Sequence, residues 1–318
     1  MNSRYLRYLM ISEHWRQQYG EKVYKLPVSL PVTCPNRDGT CGVGGCIFCG
    51  EIGAGYENLP ESMTVSEQIA MNRRHIQAKY KAGKFIAYLQ NFSNTYLPPQ
   101  RFAAYIEEAC QPDVVAVAIA TRPDCVNEKY LEILTELRER RGVDIIIELG
   151  LQTVNYRTLA WINRGHGLAE FIDATLRSRR FGFDVCGHVI LNLPGDEMID
   201  VLEAAKILSA LDVQQVKLHA LYVVKGTRLA ELYERGELTL GSCEEYVERA
   251  VAFLEHLSPN IALQRLIGRA PEANTLFTNW SKGWWKIRET IETRMNELDT
   301  WQGKRCDYLN GPAVKKFL

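Results

Sequence analysis

The chain has 318 residues, 46% of them hydrophobic, and its 38 basic residues are matched by 38 acidic ones. That length suits one large α/β domain or two smaller ones, and it buries a sizeable core without covalent staples. Balanced charge excludes a grip on nucleic acid or membrane spread over the whole surface, though not a local basic face.

The opening stretch, "MNSRYLRYLMISEHWRQQYG", has no apolar segment of the kind a secretion signal carries. No run of about 18 apolar residues follows, so no membrane span is expected. The expectation is a cytoplasmic, reduced chain, in which clustered cysteines bind metal more often than they form disulfides. "KVYKLPVSL" (22–30) reads as a first strand, followed by a loop dense in cysteine and glycine. Residues 64–83 read as a helix, opened by a Thr64–Glu67 capping box and stopped at Gly83. "FIAYL" (85–89) is a strand, followed by a polar loop and a helix near 99–110. "DVVAVAIA" (113–120) is the continuous apolar run of a strand covered on both faces, and its helix is 126–140. "VDIIIEL" (143–149) is the next strand, with helical segments to about Arg180. Stretches 183–193 and 213–224 are two more strands, separated by a helix at 196–211.

Strands alternating with helices imply a parallel sheet. Six such units predict an α/β fold: a partial (β/α)6 barrel of the TIM type, or a doubly wound sheet. No GxGxxG follows the first strand, which counts against a dinucleotide-binding fold. Residues 1–240 would form the barrel with its N-terminal extension. Residues 241–318, helical, aromatic and partly basic, would form a C-terminal extension packed on it.

Four of the nine cysteines fall in "CPNRDGTCGVGGCIFCG" (34–50). Cys34, Cys41, Cys46 and Cys49 could hold a structural zinc ion. Alternatively, three of them could hold an iron–sulfur cluster with one iron left open. Position favours the cluster, because the loop follows the first strand and lies on the active-site face of a βα barrel. Glycines 39, 42, 44, 45 and 50 let the backbone close around a bulky group and expose N–H groups to its sulfides. Further along, Glu148 lies in a strongly apolar strand, where a carboxylate needs a partner.

"KVYKLPVSLPVTCPNRDGT…GGCIFC" and several later motifs resemble the radical S-adenosylmethionine (SAM) enzymes. More narrowly, they resemble the YhcC-like group, related to the radical domain of the Elongator catalytic subunit. The resemblance spans roughly residues 15–305. It implies that Cys34, Cys46 and Cys49 ligate a 4Fe–4S cluster whose unique iron binds the amino and carboxylate groups of SAM. Cys41 departs from the three-cysteine pattern and is expected to be a non-ligand. Phe48 would pack on the SAM adenine, or simply in the core. In "YLQNFSNTY", Gln90, Asn91 and Ser93 are candidates for holding the SAM amino group, against a plain polar loop. "IIIELGLQTVNYRTLAWINRGH" would place Glu148 and Gln152 at the SAM site and Arg164 on its carboxylate. His166 is expected to be a loop or capping residue. Asn192 in "HVILNLPGDE" and Tyr222 in "KLHALYVVKGTRLA" would lie near the adenine. Lys217 and His219, opposite Leu218 on their strand, either point toward substrate or form satisfied pairs. The remaining cysteines read as small core residues.

The resemblance implies an external one-electron donor such as flavodoxin or ferredoxin. It also implies cleavage of SAM to a 5′-deoxyadenosyl radical that abstracts hydrogen from substrate. No catalytic side chain is singled out. Residues 1–25 carry five basic and two acidic groups, and residues 281–318 carry eight and five. Both ends bear aromatics (Tyr5, Tyr8, Trp15; Trp284, Trp285, Trp301), a mixture that suits RNA. By the resemblance, a tRNA nucleoside is the first substrate expected. The same aromatics could instead cap the barrel. Two other readings remain: a small metabolite or tetrapyrrole as substrate, or a non-catalytic zinc protein that binds RNA. A zinc protein has no need of "ELGLQ…NRGH".

Overall fold

A computed structural model describes residues 7–51, 53, 58–269 and 274–317, so Tyr5 lies outside the described residues. Nine strands occur in chain order: β1 (Val23–Val28), β2 (Lys84–Leu89), β3 (Val114–Thr121), β4 (Asp144–Gln152), β5 (Asp184–Ile190), β6 (Gln215–His219), β7 (Val223–Val224), β8 (Ala262–Arg265) and β9 (Thr275–Phe277). The helices are α1 (Ile11–Tyr19), α2 (Val65–Tyr80), α3 (Pro99–Ala109), α4 (Glu128–Arg141), α5 (Tyr156–Trp161), α6 (Leu168–Arg180), α7 (Met198–Ala210), α8 (Arg228–Glu234), α9 (Cys243–His256) and α10 (Trp284–Glu297).

Seven strands form one parallel sheet in the order β1-β2-β3-β4-β5-β6-β8. A flat sheet would hold its two edge strands about 29 Å apart, six spacings of about 4.8 Å. Here Lys25 of β1 donates to Gln264 of β8 at 2.8 Å. The sheet is therefore curled into a partial barrel, the α/β architecture expected.

Alternation assigns the two faces. Leu26, Phe85, Val117, Ile147, Val185 and Leu218 point outward into the core shared with the helices. Ile86, Ala116, Ala118, Ala120, Ile146, Cys186 and Ala262 point inward. The three alanines of β3 leave the chamber hollow on that side. Helix α1 inserts Ile11 and Trp15 among the inward residues, and Met10 bridges to Leu263. The segment before α1 is tied to β8 and to the C-terminal region. Leu9 accepts from Leu263 N at 2.8 Å and donates to Gln302 Oε1 at 2.9 Å.

The barrel has one strand more than the six units expected. That strand, β8, comes from the stretch read as helical, together with β9. The stretch read as one strand over 213–224 breaks after His219, and its end, β7, pairs antiparallel with β9. Helix α2 has the Thr64–Glu67 capping box. It ends at a left-handed Lys81 (φ 52°), two residues before Gly83. Among the described residues no helix is long and apolar enough to cross a membrane.

Candidate active site

The cysteine loop leaves the C-terminal end of β1 and borders a cavity of about 200 Å³ in the mouth of the barrel. Cys34, Cys46 and Cys49 line this cavity, whereas Cys41 is exposed and outside it. Each lining thiol has a guanidinium beside it. Arg122 Nη1 lies 3.9 Å from Cys34 Sγ, Arg164 Nη1 3.6 Å from Cys46 Sγ, and Arg37 Nη1 3.9 Å from Cys49 Sγ. Burial, then Cys46, pushes the Cys49 thiol up to about 11 against the pull of Arg37. A metal would displace that proton.

The loop is held by the segment after α5. Asn163, in a left-handed conformation (φ 53°), donates to the carbonyls of Gly45 (2.8 Å) and Val43 (3.2 Å). Ile47 N donates to Ile162 O at 3.0 Å, and Asn36 Nδ2 to Asn163 O at 2.6 Å. Glycine is needed here for space: a Cβ on Gly42 would sit 2.2 Å from Asn36 Oδ1. The "NRGH" motif is thus the seat of the cysteine loop. His166 is buried beside Arg164 and Arg122, and burial followed by those two charges pushes its ring down to about 2, so it is neutral.

Arg164 is 7% exposed and donates to Gly150 O at 2.8 Å, while its buried Nε has no acceptor among the described residues. The register of β4 slips between Gly150 and Gln152, where Gln152 takes a positive φ of 72°. That irregularity sets the Gln152 side chain against the cavity. A Cβ on Gly150 would lie 2.6 Å from Arg164 Nη2 and 2.7 Å from Gln152 Nε2, so a larger residue here would displace both side-chain ends from their present places.

Deeper in the barrel, Glu148 is fully buried. It meets Lys25 and accepts from His188 Nε2 (2.8 Å), Gln264 Nε2 (2.9 Å) and Lys217 Nζ (3.3 Å). Burial alone would raise its pKa, but Lys217 and Lys25 outweigh that and hold the carboxyl well below its usual range. Lys217 also donates to Tyr88 Oη at 2.9 Å, and burial, countered by Glu148, lowers its ammonium to about 7. His188 is pushed down by burial to about 4 and is neutral.

Of the residues singled out from sequence, the cavity wall gathers Cys34, Cys46, Cys49, Phe48, Gln90, Glu148, Gln152, Arg164 and Tyr222. Asn91, Ser93 and Asn192 are not in that wall. Asn91 clamps both backbone groups of Leu30 (3.1 and 2.7 Å), Ser93 bonds Thr121 Oγ1 (2.9 Å), and Asn192 accepts from Leu221 N (2.7 Å). All three are buried; Asn91 and Ser93 serve neighbouring chain, whereas Asn192 uses only its Oδ1 that way and its buried Nδ2 has no partner among the described residues. Lys217 and His219 do face the cavity. Sequence reasoning missed Arg37, Arg122, His188 and Arg265. His188 lies two residues after the inward Cys186, so alternation was the available signal for it; Arg265 reaches the cavity through the register slip between β6 and β8, which the sequence did not signal. Of the terminal aromatics, Tyr8 and Trp15 are buried, while Trp284, Trp285 and Trp301 are partly exposed.

A partial α/β barrel thus gathers three thiols and three guanidiniums around one cavity at its mouth. The chain belongs to the radical SAM superfamily. The superfamily profile matches residues 33–208, and the profile of the Radical_SAM C-terminal domain matches residues 213–297. Membership makes it an iron–sulfur, SAM-dependent enzyme. It is 36% identical to the uncharacterized protein YtqA of Bacillus subtilis over 94% of this chain and 92% of that one. It is 32% identical to YhcC of Escherichia coli over 88% and 90%. It is 26% identical to the tRNA uridine(34) acetyltransferase of Methanocaldococcus jannaschii over 72% of this chain but only 48% of that one. Among solved structures, the archaeal Methanocaldococcus infernus Elp3 shares the fold, with a TM-score of 0.66 at 18% identity over 92% of this chain and 67% of that one.

Proposed function

We propose that Cys34, Cys46 and Cys49 hold a 4Fe–4S cluster and that Phe48, Gln90, Gln152, Arg164 and Tyr222 hold SAM beside it. When bound and reduced, this pair supplies a 5′-deoxyadenosyl radical that removes a hydrogen atom from an unactivated C–H bond of the substrate. The observation that carries the reading is convergence on one cavity of three thiols and a buried Arg164 with an Nε lacking an acceptor. The donor set fits: three sulfur ligands leave one iron open, and Cys41 faces solvent, away from it. Arg37, Arg122 and Arg164 place positive charge beside the sulfurs of Cys49, Cys34 and Cys46, which complements the negative charge of a thiolate-ligated group. The unused Nε of Arg164 offers a donor for the SAM carboxylate. Asn91, Ser93 and Asn192 brace the loops that carry these groups. The electron comes from a small reductant protein such as flavodoxin or ferredoxin.

The substrate reading that the named relatives support is a tRNA nucleoside. Because the match covers 48% of the acetyltransferase from M. jannaschii, acetyl transfer is not part of the proposal. One observation favours a second reading, a small metabolite: the deep end of the cavity is enclosed and cationic, with Lys217 and Arg265 in its wall.

The test is anaerobic reconstitution with iron and sulfide, reduction with dithionite, and chromatography for 5′-deoxyadenosine. The wild type is expected to absorb near 400 nm and to form the product. Cys34→Ala, Cys46→Ala and Cys49→Ala are each expected to do neither. A wild-type protein that binds one zinc ion and leaves SAM intact would sink the proposal.

A further inference from the structure

The deep wall of the cavity has more positive charge than its acids can neutralise. Lys217 and Arg265 line it, Lys25 lies behind it, and among the described lining residues the one carboxylate is Glu148. His188 and His219 add no negative charge, since burial, and for His219 also Arg265, holds both rings neutral. Arg265 stands out. It makes no ion pair among the described residues, and its buried Nε has no acceptor. Its Nη2 meets the His219 ring, 2.7 Å from Nδ1. A half-buried guanidinium whose buried Nε has no acceptor is costly to leave without an anion. The pairing of β6 with β8 slips between Val216 and Lys217, so that Arg265 rather than Gln264 comes opposite Lys217. Such an irregularity re-aims a side chain, and here it turns the guanidinium to the cavity.

The cofactors named above do not supply the missing anion. SAM carries one carboxylate, offset by its own sulfonium, and Arg164 stands ready for that carboxylate beside Cys46. The sulfur ligands have Arg37, Arg122 and Arg164. Arg265 also lines a second cavity of about 340 Å³ on the flank of β8, together with Tyr8, Trp284 and Arg288, so there is room beside it for the rest of a ligand.

We infer that this wall seats an oxyanion carried by the substrate, a carboxylate or a phosphate ester, held by Arg265 and backed by Lys217 and His219. The planar fork of Arg265 suits two oxygens of either group. This inference rests on the radical SAM reading of the same cavity and adds the substrate's chemical class to it.

The test uses the cluster-containing protein under anaerobic conditions. Its thermal midpoint is titrated with inorganic phosphate or with succinate at constant ionic strength, with and without SAM. A saturable rise of a few degrees is expected with at least one of them. Phosphate alone would point to a phosphate ester and succinate alone to a carboxylate. Arg265→Gln is expected to abolish the rise, while Lys129→Gln, which removes an exposed charge on α4, keeps it. If Arg265→Gln does not fold, phenylglyoxal labelling of the wild type, mapped by peptide mass spectrometry, reads the same site. The effective anion should then protect Arg265 at least fivefold, and SAM alone should not. The inference is overturned by no rise with either anion, by an undiminished rise in Arg265→Gln, by absence of protection, or by competition between the anion and SAM. Iron content and 5′-deoxyadenosine formation, measured on the same wild-type sample without added anion, report separately on the radical reading.

Discussion

Replacing Glu148 by glutamine keeps the side-chain volume and removes the one carboxylate that, among the described residues, faces Lys25 and Lys217. At 3.3 Å the Lys217 attraction alone is about 5 kcal/mol at an effective dielectric of 20. Part of this is recovered because glutamine is cheaper to bury. Breaking a buried ion pair on one side costs about 3–5 kcal/mol in net. For a chain of this size that is a fall in Tm of roughly 4–8 °C. The loss should depend on pH. Lys217 titrates at about 7 in the folded protein, below its ordinary 10.5, and Glu148 is the main pull that keeps it that high. At pH 6 the wild type holds a charged Lys217, whereas the variant must strand that charge or release its proton. At pH 9 the amine is neutral in both folded proteins, and its share of the loss vanishes. The penalty should therefore shrink from pH 6 to pH 9, leaving the share due to Lys25. The assay is thermal unfolding of both proteins at pH 6, 7.5 and 9. A loss below about 1 kcal/mol at pH 6, or one that is flat with pH, would refute the account of the buried network.

The sign for Lys217 itself follows the same linkage. Its depressed pKa makes wild-type stability rise from about pH 7 toward 10.5, by at most about 1.4 kcal/mol per pH unit, and Lys217→Met should flatten that rise in a pH series of unfolding curves. Cys41→Ala should retain about four irons per chain by chemical iron analysis; loss of iron would return Cys41 to the ligand set. Asn163→Ala removes two hydrogen bonds to the cysteine loop, worth about 1–3 kcal/mol, and should speed iron loss to a chelator about tenfold, while an unchanged rate would deny "NRGH" its role as a seat. Asn91→Ala should lower Tm because it strands both backbone groups of Leu30, yet leave SAM affinity in equilibrium dialysis unchanged; weaker SAM binding would place Asn91 on the cofactor after all.

The strands were legible where burial on both faces gives continuous apolar runs, as in "DVVAVAIA" and "VDIIIEL". Strand β8 was not, because its four residues, "ALQR", include two polar side chains that face the chamber, and a short polar strand looks like a loop. The cysteine loop was legible as a cavity-lining segment from its density and its position after the first strand, while the choice of Cys34, Cys46 and Cys49 over Cys41 came from the family resemblance. Asn91, Ser93 and Asn192 show the limit of that approach. An amide or hydroxyl in a loop can serve the cavity or its own backbone, and composition does not say which. Arg122 is a lone arginine before a proline, and only the curl of the sheet brings it to Cys34. Lys217 could be placed on the inner face by alternation, but its partner is 69 residues earlier in the chain.

The tie between the two ends of the chain sets an order on synthesis. Residues 7–10 meet Leu263, Asn296, Asp299 and Gln302, partners more than 250 residues downstream. Such contacts form late, because the intervening chain must emerge and its loop entropy must be overcome first. Until then β1 lacks its side-chain link to β8, and the thiol loop that follows it borders a wider trough than in the finished partial barrel. A large preformed metal–sulfur unit could enter the nascent trough more easily than the finished barrel, which makes the timing of cofactor delivery relative to translation a variable that heterologous expression has to respect.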